Sequence, residues 1–264
     1  MKKIILVVTV FILFVVLFFG RVQIKEYITN VFKPVLPEPI VYQKEETEKP
    51  ANVEIKEPEK AVVKEEIKSE PKTEEVIREI NLAVPFTSQA PFANWDEFHE
   101  DACEEASVLM MDAFFDGRKL EAGSVDEELR KIADWELNKF GYFKDTTAEE
   151  TAEILRGFYG HGRVEVKYDI TEEDIRAVLI QKLPVIVPSF GRALGNPNFS
   201  GAGPLYHMLV VRGITKDGLF ITNDPGTRNG EAYLYKASVL MNAVHDWNGG
   251  DVQNGRRAMI VVYP

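Results

Sequence analysis

Six prolines scattered through residues 33–80, at positions 34, 37, 39, 50, 58 and 71, decide which parts of this chain can fold. The surrounding residues are mostly Glu, Lys and Val, as in Glu57-Pro58-Glu59-Lys60. Proline breaks helices, like charges stretch the backbone, and no aromatic cluster is present to seed a core. The segment therefore reads as a disordered, semi-stiff spacer. The chain divides into residues 1–21, a linker over 22–81, and one domain over 82–264 that is long enough to bury a core.

The first of these parts carries an uncharged, almost wholly apolar run from Ile4 to Phe19 behind Met1-Lys2-Lys3. At about 1.5 Å per residue such a helix covers most of a bilayer's hydrocarbon core. Phe18-Phe19-Gly20-Arg21 offers no small-x-small cleavage pattern, so the run reads as an uncleaved transmembrane anchor. Lys2 and Lys3 beside a very short tail favour that tail inside, which places the domain on the extracytoplasmic side of a single-pass cell-membrane protein. The formal net charge of −11 and the absence of a basic face argue against a nucleic-acid partner.

Within the domain, helix-start signals come first. Asp101 with Glu104, Ser124 with Glu127 and Thr147 with Glu150 have capping-box spacing, and the apolar periodicity behind them predicts helices over about 102–115, 125–139 and 148–158. Arg163–Tyr168 alternates like a strand, Thr171 caps a helix reaching about Lys182, and Val185-Ile186-Val187 reads as a buried strand. His207–Ile214 and Leu219–Asp224 then flank the turn Lys216-Asp217-Gly218. A helix around Ala237–Val244 and a last strand over Ala258–Tyr263 follow. Helices first and an antiparallel β-sheet second is the order of an α+β fold.

Cys103 is the only cysteine, which excludes an internal disulfide, and no cluster of further ligands suggests a metal. Either it is an inert core thiol or it is a nucleophile. With Asp101 as N-cap it occupies the second helical position, where unpaired N–H groups and the helix dipole favour a thiolate. A nucleophilic thiol needs an imidazole to take its proton and later protonate a leaving amine. His99, His161 and His245 fall in loops or near a helix end and read as surface residues. His207, behind the Gly- and Pro-rich Gly201-Ala202-Gly203-Pro204 and opening an apolar strand, sits where a sheet edge meets a cleft.

Hairpin register chooses the third partner. A two- or four-residue loop puts Asp224 on the face of His207, and only the four-residue loop brings it diagonally adjacent; a three-residue loop selects Asn223 instead. Asp224-Pro225-Gly226 is also ordinary turn chemistry.

Val84-Pro85-Phe86-Thr87-Ser88-Gln89, Trp95, Ala102-Cys103-Glu104-Glu105-Ala106-Ser107, His207–Gly213 and Asn223-Asp224-Pro225-Gly226 together resemble a papain-like family. It is the bacteriocin-processing, double-glycine-leader cysteine peptidase group, more closely its stand-alone peptidase-like relatives, and the likeness spans essentially Leu82–Pro264. The resemblance implies a papain-like fold with N-terminal helices packed on an antiparallel sheet, and a peptide or protein substrate. It assigns Cys103 as nucleophile, His207 as general base and acid, Asp224 as orienting residue and Gln89 as an oxyanion-hole donor. No metal or organic cofactor is implied. The chain departs from many members at Glu104, where glycine often follows the cysteine, so that local geometry or a substrate contact differs. Leader cleavage does not suit an extracytoplasmic domain without a transporter. The alternatives are a catalytically inactive tethered module that binds peptide or cell wall, and a cell-wall endopeptidase or transpeptidase using the same machinery.

Overall fold

The computed structural model describes residues 34–43 and 79–264. The expected membrane anchor and most of the expected linker lie outside the described residues. Among those described, no helix is long and apolar enough to cross a membrane.

The chain runs β1 (Ile80–Asn81), a 3-10 turn (His99–Asp101), α1 (Cys103–Asp116), α2 (Ala122–Lys139), α3 (Ala148–Gly157), β2 (Arg163–Tyr168), α4 (Glu172–Ile180) and β3 (Val185–Phe190). It continues with α5 (Gly191–Leu194), β4 (Tyr206–Ile214), β5 (Phe220–Asn223), β6 (Tyr233–Tyr235), α6 (Ala237–Ala243) and β7 (Ala258–Tyr263). The strands form one antiparallel sheet in the order β2-β7-β3-β4-β5-β6, with β1 paired to β4. This is the α+β architecture that the sequence order implies. Strand β4 is buried along its whole length, α1 packs against it, and α2 and α3 pack against α1.

Two of the expected helix starts differ. Thr147 and Glu150 form the anticipated capping box, as do Thr171 and Asp174. Asp101 does not cap α1: it belongs to the 3-10 turn that feeds directly into the helix, and its carboxylate instead pairs with Lys144 at 2.6 Å. The N-cap is Ala102, without a side-chain cap bond, which makes Cys103 the first helical residue. Ser124 lies inside α2, which begins earlier, and its hydroxyl donates to the Glu121 carbonyl at 3.0 Å.

Part of the expected linker is built into the domain. The Ile40 N–H donates to the Asn81 carbonyl (2.7 Å), the Ala83 N–H donates to the Ile40 carbonyl (2.8 Å), and Asn81 Nδ2 donates to the Pro37 carbonyl (2.8 Å). Ile40 and Leu82 thus form a parallel bridge that covers backbone groups a sheet edge would otherwise leave open. Tyr42 adds ring contacts to Phe114 and Phe115 at the end of α1.

Helix α1 is buried from Cys103 to Phe114, its acidic residues included. Glu105 faces Glu136 of α2, and among the described residues no hydrogen bond or ion pair from another element neutralises either carboxyl. Burial, and then the negative charge of Glu136, push Glu105 well above the usual carboxylate range. Burial raises Glu136 to about 9. Two such groups are stable side by side when a proton lies between them.

Candidate active site

The turn between β4 and β5 contains Lys216, Asp217 and Gly218, with the Thr215 N–H donating to the Leu219 carbonyl at 2.9 Å. Ile214 pairs with Phe220 and Gly213 with Ile221. Continued unbroken, that three-residue register would set Asn223 opposite Val211, on the face of His207. A bulge intervenes at Arg212, and Val211 pairs with Thr222 and Val210 with Asn223. One residue further on, Asp224 falls opposite Leu209 and diagonal to His207. The loop length alone points to the wrong residue, and the bulge reverses the choice. Gly213 is required beside it, because a Cβ there would stand 2.1 Å from the Ile80 carbonyl oxygen.

His207 Nε2 lies 2.8 Å from Asp224 Oδ1. The Gly226 N–H donates to the same oxygen at 3.1 Å, while Tyr235 Oη (2.8 Å) and Asn196 Nδ2 (3.0 Å) donate to Oδ2. Burial alone would raise the Asp224 pKa, but the His207 charge and these hydrogen bonds hold it below the ordinary carboxylate value. Phe199 packs edge-on to the imidazole, with ring centroids 5.3 Å apart. On another side Gly226 is so close that a Cβ would come within 2.8 Å of His207 Cε1. The imidazole is therefore fixed, with Nε2 committed to Asp224 and Nδ1 left over.

Cys103 enters from the start of α1, the helix packed on β4, and the backbone of Met208, the residue after the histidine, works to lower its thiol pKa. The thiol donates to Glu104 Oε2 at 2.9 Å, and no hydrogen bond joins Cys103 to His207 among the described residues. Burial, then the charge and hydrogen bond of Glu104, push the thiol pKa well above its usual value. A helix N-terminus by itself favours the thiolate; here desolvation and a neighbouring carboxyl outweigh the dipole. Burial raises Glu104 itself to about 8, with Asp145 and Asp101 adding to the effect.

Gln89 is tied to the same region through its backbone, whose N–H donates to the Pro225 carbonyl at 3.0 Å. Its side-chain amide donates to the carbonyls of His99 (2.8 Å) and Glu100 (3.0 Å), and Oε1 is buried without a partner. Both amide protons are thus in use. Asn223 points away from His207, donating to the carbonyls of Val84 (3.0 Å) and Pro85 (3.3 Å) and so anchoring the segment that leads to Gln89. Cys103, His207, Asp224 and Gln89 are all buried, at 5%, 1%, 0% and 3% exposure.

His99 is not the surface residue expected. It is fully buried, with Nδ1 2.7 Å from Asp96 and Nε2 2.7 Å from Asp126 of α2, and so locks the turn whose carbonyls hold Gln89. Tyr235, Asn196 and Phe199 carry no sequence signal for a place beside this histidine and aspartate, His99 reads as a surface residue, and Glu104 stands out only as the departure directly after the cysteine.

The model of the Peptidase_C39 like family matches residues 81–250. No curated protein sequence matches the chain. Among solved structures, a Bacillus anthracis protein assigned as a C39-like peptidase overlays with a TM-score of 0.41 at 14% identity, covering 71% of this chain and 98% of its own. A fragment of prointerpain A from Prevotella intermedia overlays with a TM-score of 0.35 at 18% identity, covering 55% of this chain and 43% of its own. With the family matched over most of the folded domain, the chain belongs to the Peptidase_C39 like family and is a cysteine peptidase of papain-like α+β fold.

Proposed function

We propose that this protein is a membrane-anchored, extracytoplasmic cysteine peptidase that hydrolyses peptide bonds through Cys103, His207 and Asp224. The observation that carries the reading is the 2.8 Å hydrogen bond between His207 Nε2 and Asp224 Oδ1, on a histidine in β4, the strand against which the helix that begins with Cys103 packs. With Nε2 held, Nδ1 is the atom that takes the thiol proton. Sγ then attacks the peptide carbonyl, and His207 returns the proton to the departing amine. Water, deprotonated by the same imidazole, cleaves the thioester and releases the acid.

The backbone N–H of Cys103, at the start of α1, has no partner within the helix and suits a developing oxyanion. Gln89 joins it by exchanging one of its carbonyl bonds for the oxyanion. The run Ile4–Phe19, with Lys2 and Lys3 before it, supports the anchor and its orientation.

The deep burial of thiol and imidazole favours one alternative, a silent binding module on the same scaffold. Full-length protein incubated with a pooled peptide library separates the two: new peptide termini that vanish in C103A support the peptidase, and their absence from wild type supports the module. Protease protection of the domain in right-side-out membrane vesicles would contradict the extracytoplasmic placement.

A further inference from the structure

Glu104 is the residue that this site does not need for the chemistry above, yet its Oε2 lies 2.9 Å from the nucleophilic sulfur. It is 1% exposed. The titratable groups that act on it or feel it are Asp101 in the 3-10 turn, Asp145 before α3, Glu105 on α1, Glu136 on α2, Cys103, and Tyr206 on β4. None is a cation, and no ion pair neutralises Glu104 among the described residues. The carboxyl holds the thiol proton while His207 Nδ1 has no hydrogen bond to the sulfur, so the resting arrangement is not a thiolate–imidazolium pair.

We propose that Glu104 is a positioning residue that holds the Cys103 thiol in reserve, capturing the Sγ proton until the sulfur turns to His207 Nδ1. The proposal rests on reading Cys103 as the nucleophile. Activation then moves one proton, from Sγ to Nδ1, giving thiolate and imidazolium while Glu104 loses only an incoming hydrogen bond. Electrostatics act in the same direction. As pH rises through about 8 Glu104 becomes charged, and a carboxylate in van der Waals range of the sulfur opposes formation of a second negative charge.

The test is the rate of Cys103 alkylation by iodoacetamide in the folded full-length protein between pH 6 and 10, for wild type, E104Q and E104D. Wild type is expected to react slowly, with an apparent thiol pKa above 9. E104Q is expected to react about tenfold faster at pH 8, equivalent to a thiol pKa lowered by about one unit. E104D keeps a carboxylate and is expected to stay within about threefold of wild type. An E104Q rate equal to or below wild type overturns the proposal, and so does a wild-type profile with an apparent pKa below 8, which decides the matter alone if E104Q does not fold. Peptide hydrolysis is followed in parallel. Faster alkylation of E104Q with no hydrolysis by any form upholds the reserve role and removes the peptidase reading. Cys103-dependent hydrolysis with unchanged alkylation of E104Q removes the reserve role and leaves the peptidase.

Discussion

Asp224 meets His207 because Arg212 stands as an extra residue in β4, and without that bulge Asn223 would occupy the histidine's face. The two neighbours now have opposite duties. Asp224 fixes the imidazole, and Asn223 secures the Val84–Pro85 segment.

Substitutions at these adjacent positions should therefore separate cleanly. D224A is expected to lower kcat/KM by roughly 10²- to 10⁴-fold, the range for a disabled acid–base group. N223A is expected to leave the pH profile of hydrolysis unchanged while costing about 1 kcal/mol of stability for each lost hydrogen bond. Steady-state kinetics with thermal unfolding checks both. Equal kinetic losses in the two variants would mean that the bulge does not decide which residue serves the histidine.

Gln89 poses a sharper question, since both its amide protons already bond backbone carbonyls. If it exchanges one of them for the oxyanion, Q89A should lose about 3–4 kcal/mol of transition-state stabilisation, seen mainly in kcat. A lowered Tm with kcat near wild type would make Gln89 a loop anchor only.

The buried pair Glu105 and Glu136 makes an alkaline prediction. Folding raises both pKa values, so the folded state holds protons that the unfolded chain releases. The resulting stability is fully present below the ordinary carboxyl value of 4.5 and is lost as pH rises through about 9 for Glu136. E136Q should flatten this decline and raise Tm at pH 8.5 by at least about 2–4 °C, equivalent to roughly 1 kcal/mol in a domain of this size. Calorimetry from pH 5 to 9.5 tests it; parallel Tm curves for variant and wild type would refute the shared proton.

His99 should act at a distance. Its two ring nitrogens face Asp96 and Asp126, so H99F leaves both carboxylates without the imidazole and frees the turn that holds Gln89. The expected result is a Tm lower by several degrees together with reduced kcat, the kinetic part absent in a Q89A background. Additive kinetic losses in the double variant would place His99 outside this path.

Much of this could be read from residue order. Apolar periodicity located α1, α2 and α3, the caps at Thr147 and Thr171 were legible as side-chain chemistry, and the antiparallel sheet followed from the alternating strands. What escaped was non-local. Asp101 has the spacing of a cap, but the 3-10 turn before α1 gives the capping position to Ala102. Ile40 sits among prolines that read as a spacer, and only the open edge beside Leu82 explains why it pairs. His99 looked like a loop residue because its partner Asp126 is on another helix. The bulge at Arg212 left no local signature, so register reasoning could pose the choice between Asn223 and Asp224 without making it.

The central claim is that Cys103 is a nucleophile activated by His207, and the most direct measurement is covalent capture by a substrate-like electrophile. Folded full-length protein would be treated with pooled peptidyl vinyl sulfones, and the adduct located by peptide mass spectrometry in wild type, in H207A and in urea-denatured wild type. The expected result is a thioether on Cys103 in folded wild type, with little or none in H207A and in the denatured chain. Modification that occurs only after denaturation, or equally in H207A, would contradict the account and leave Cys103 a buried thiol.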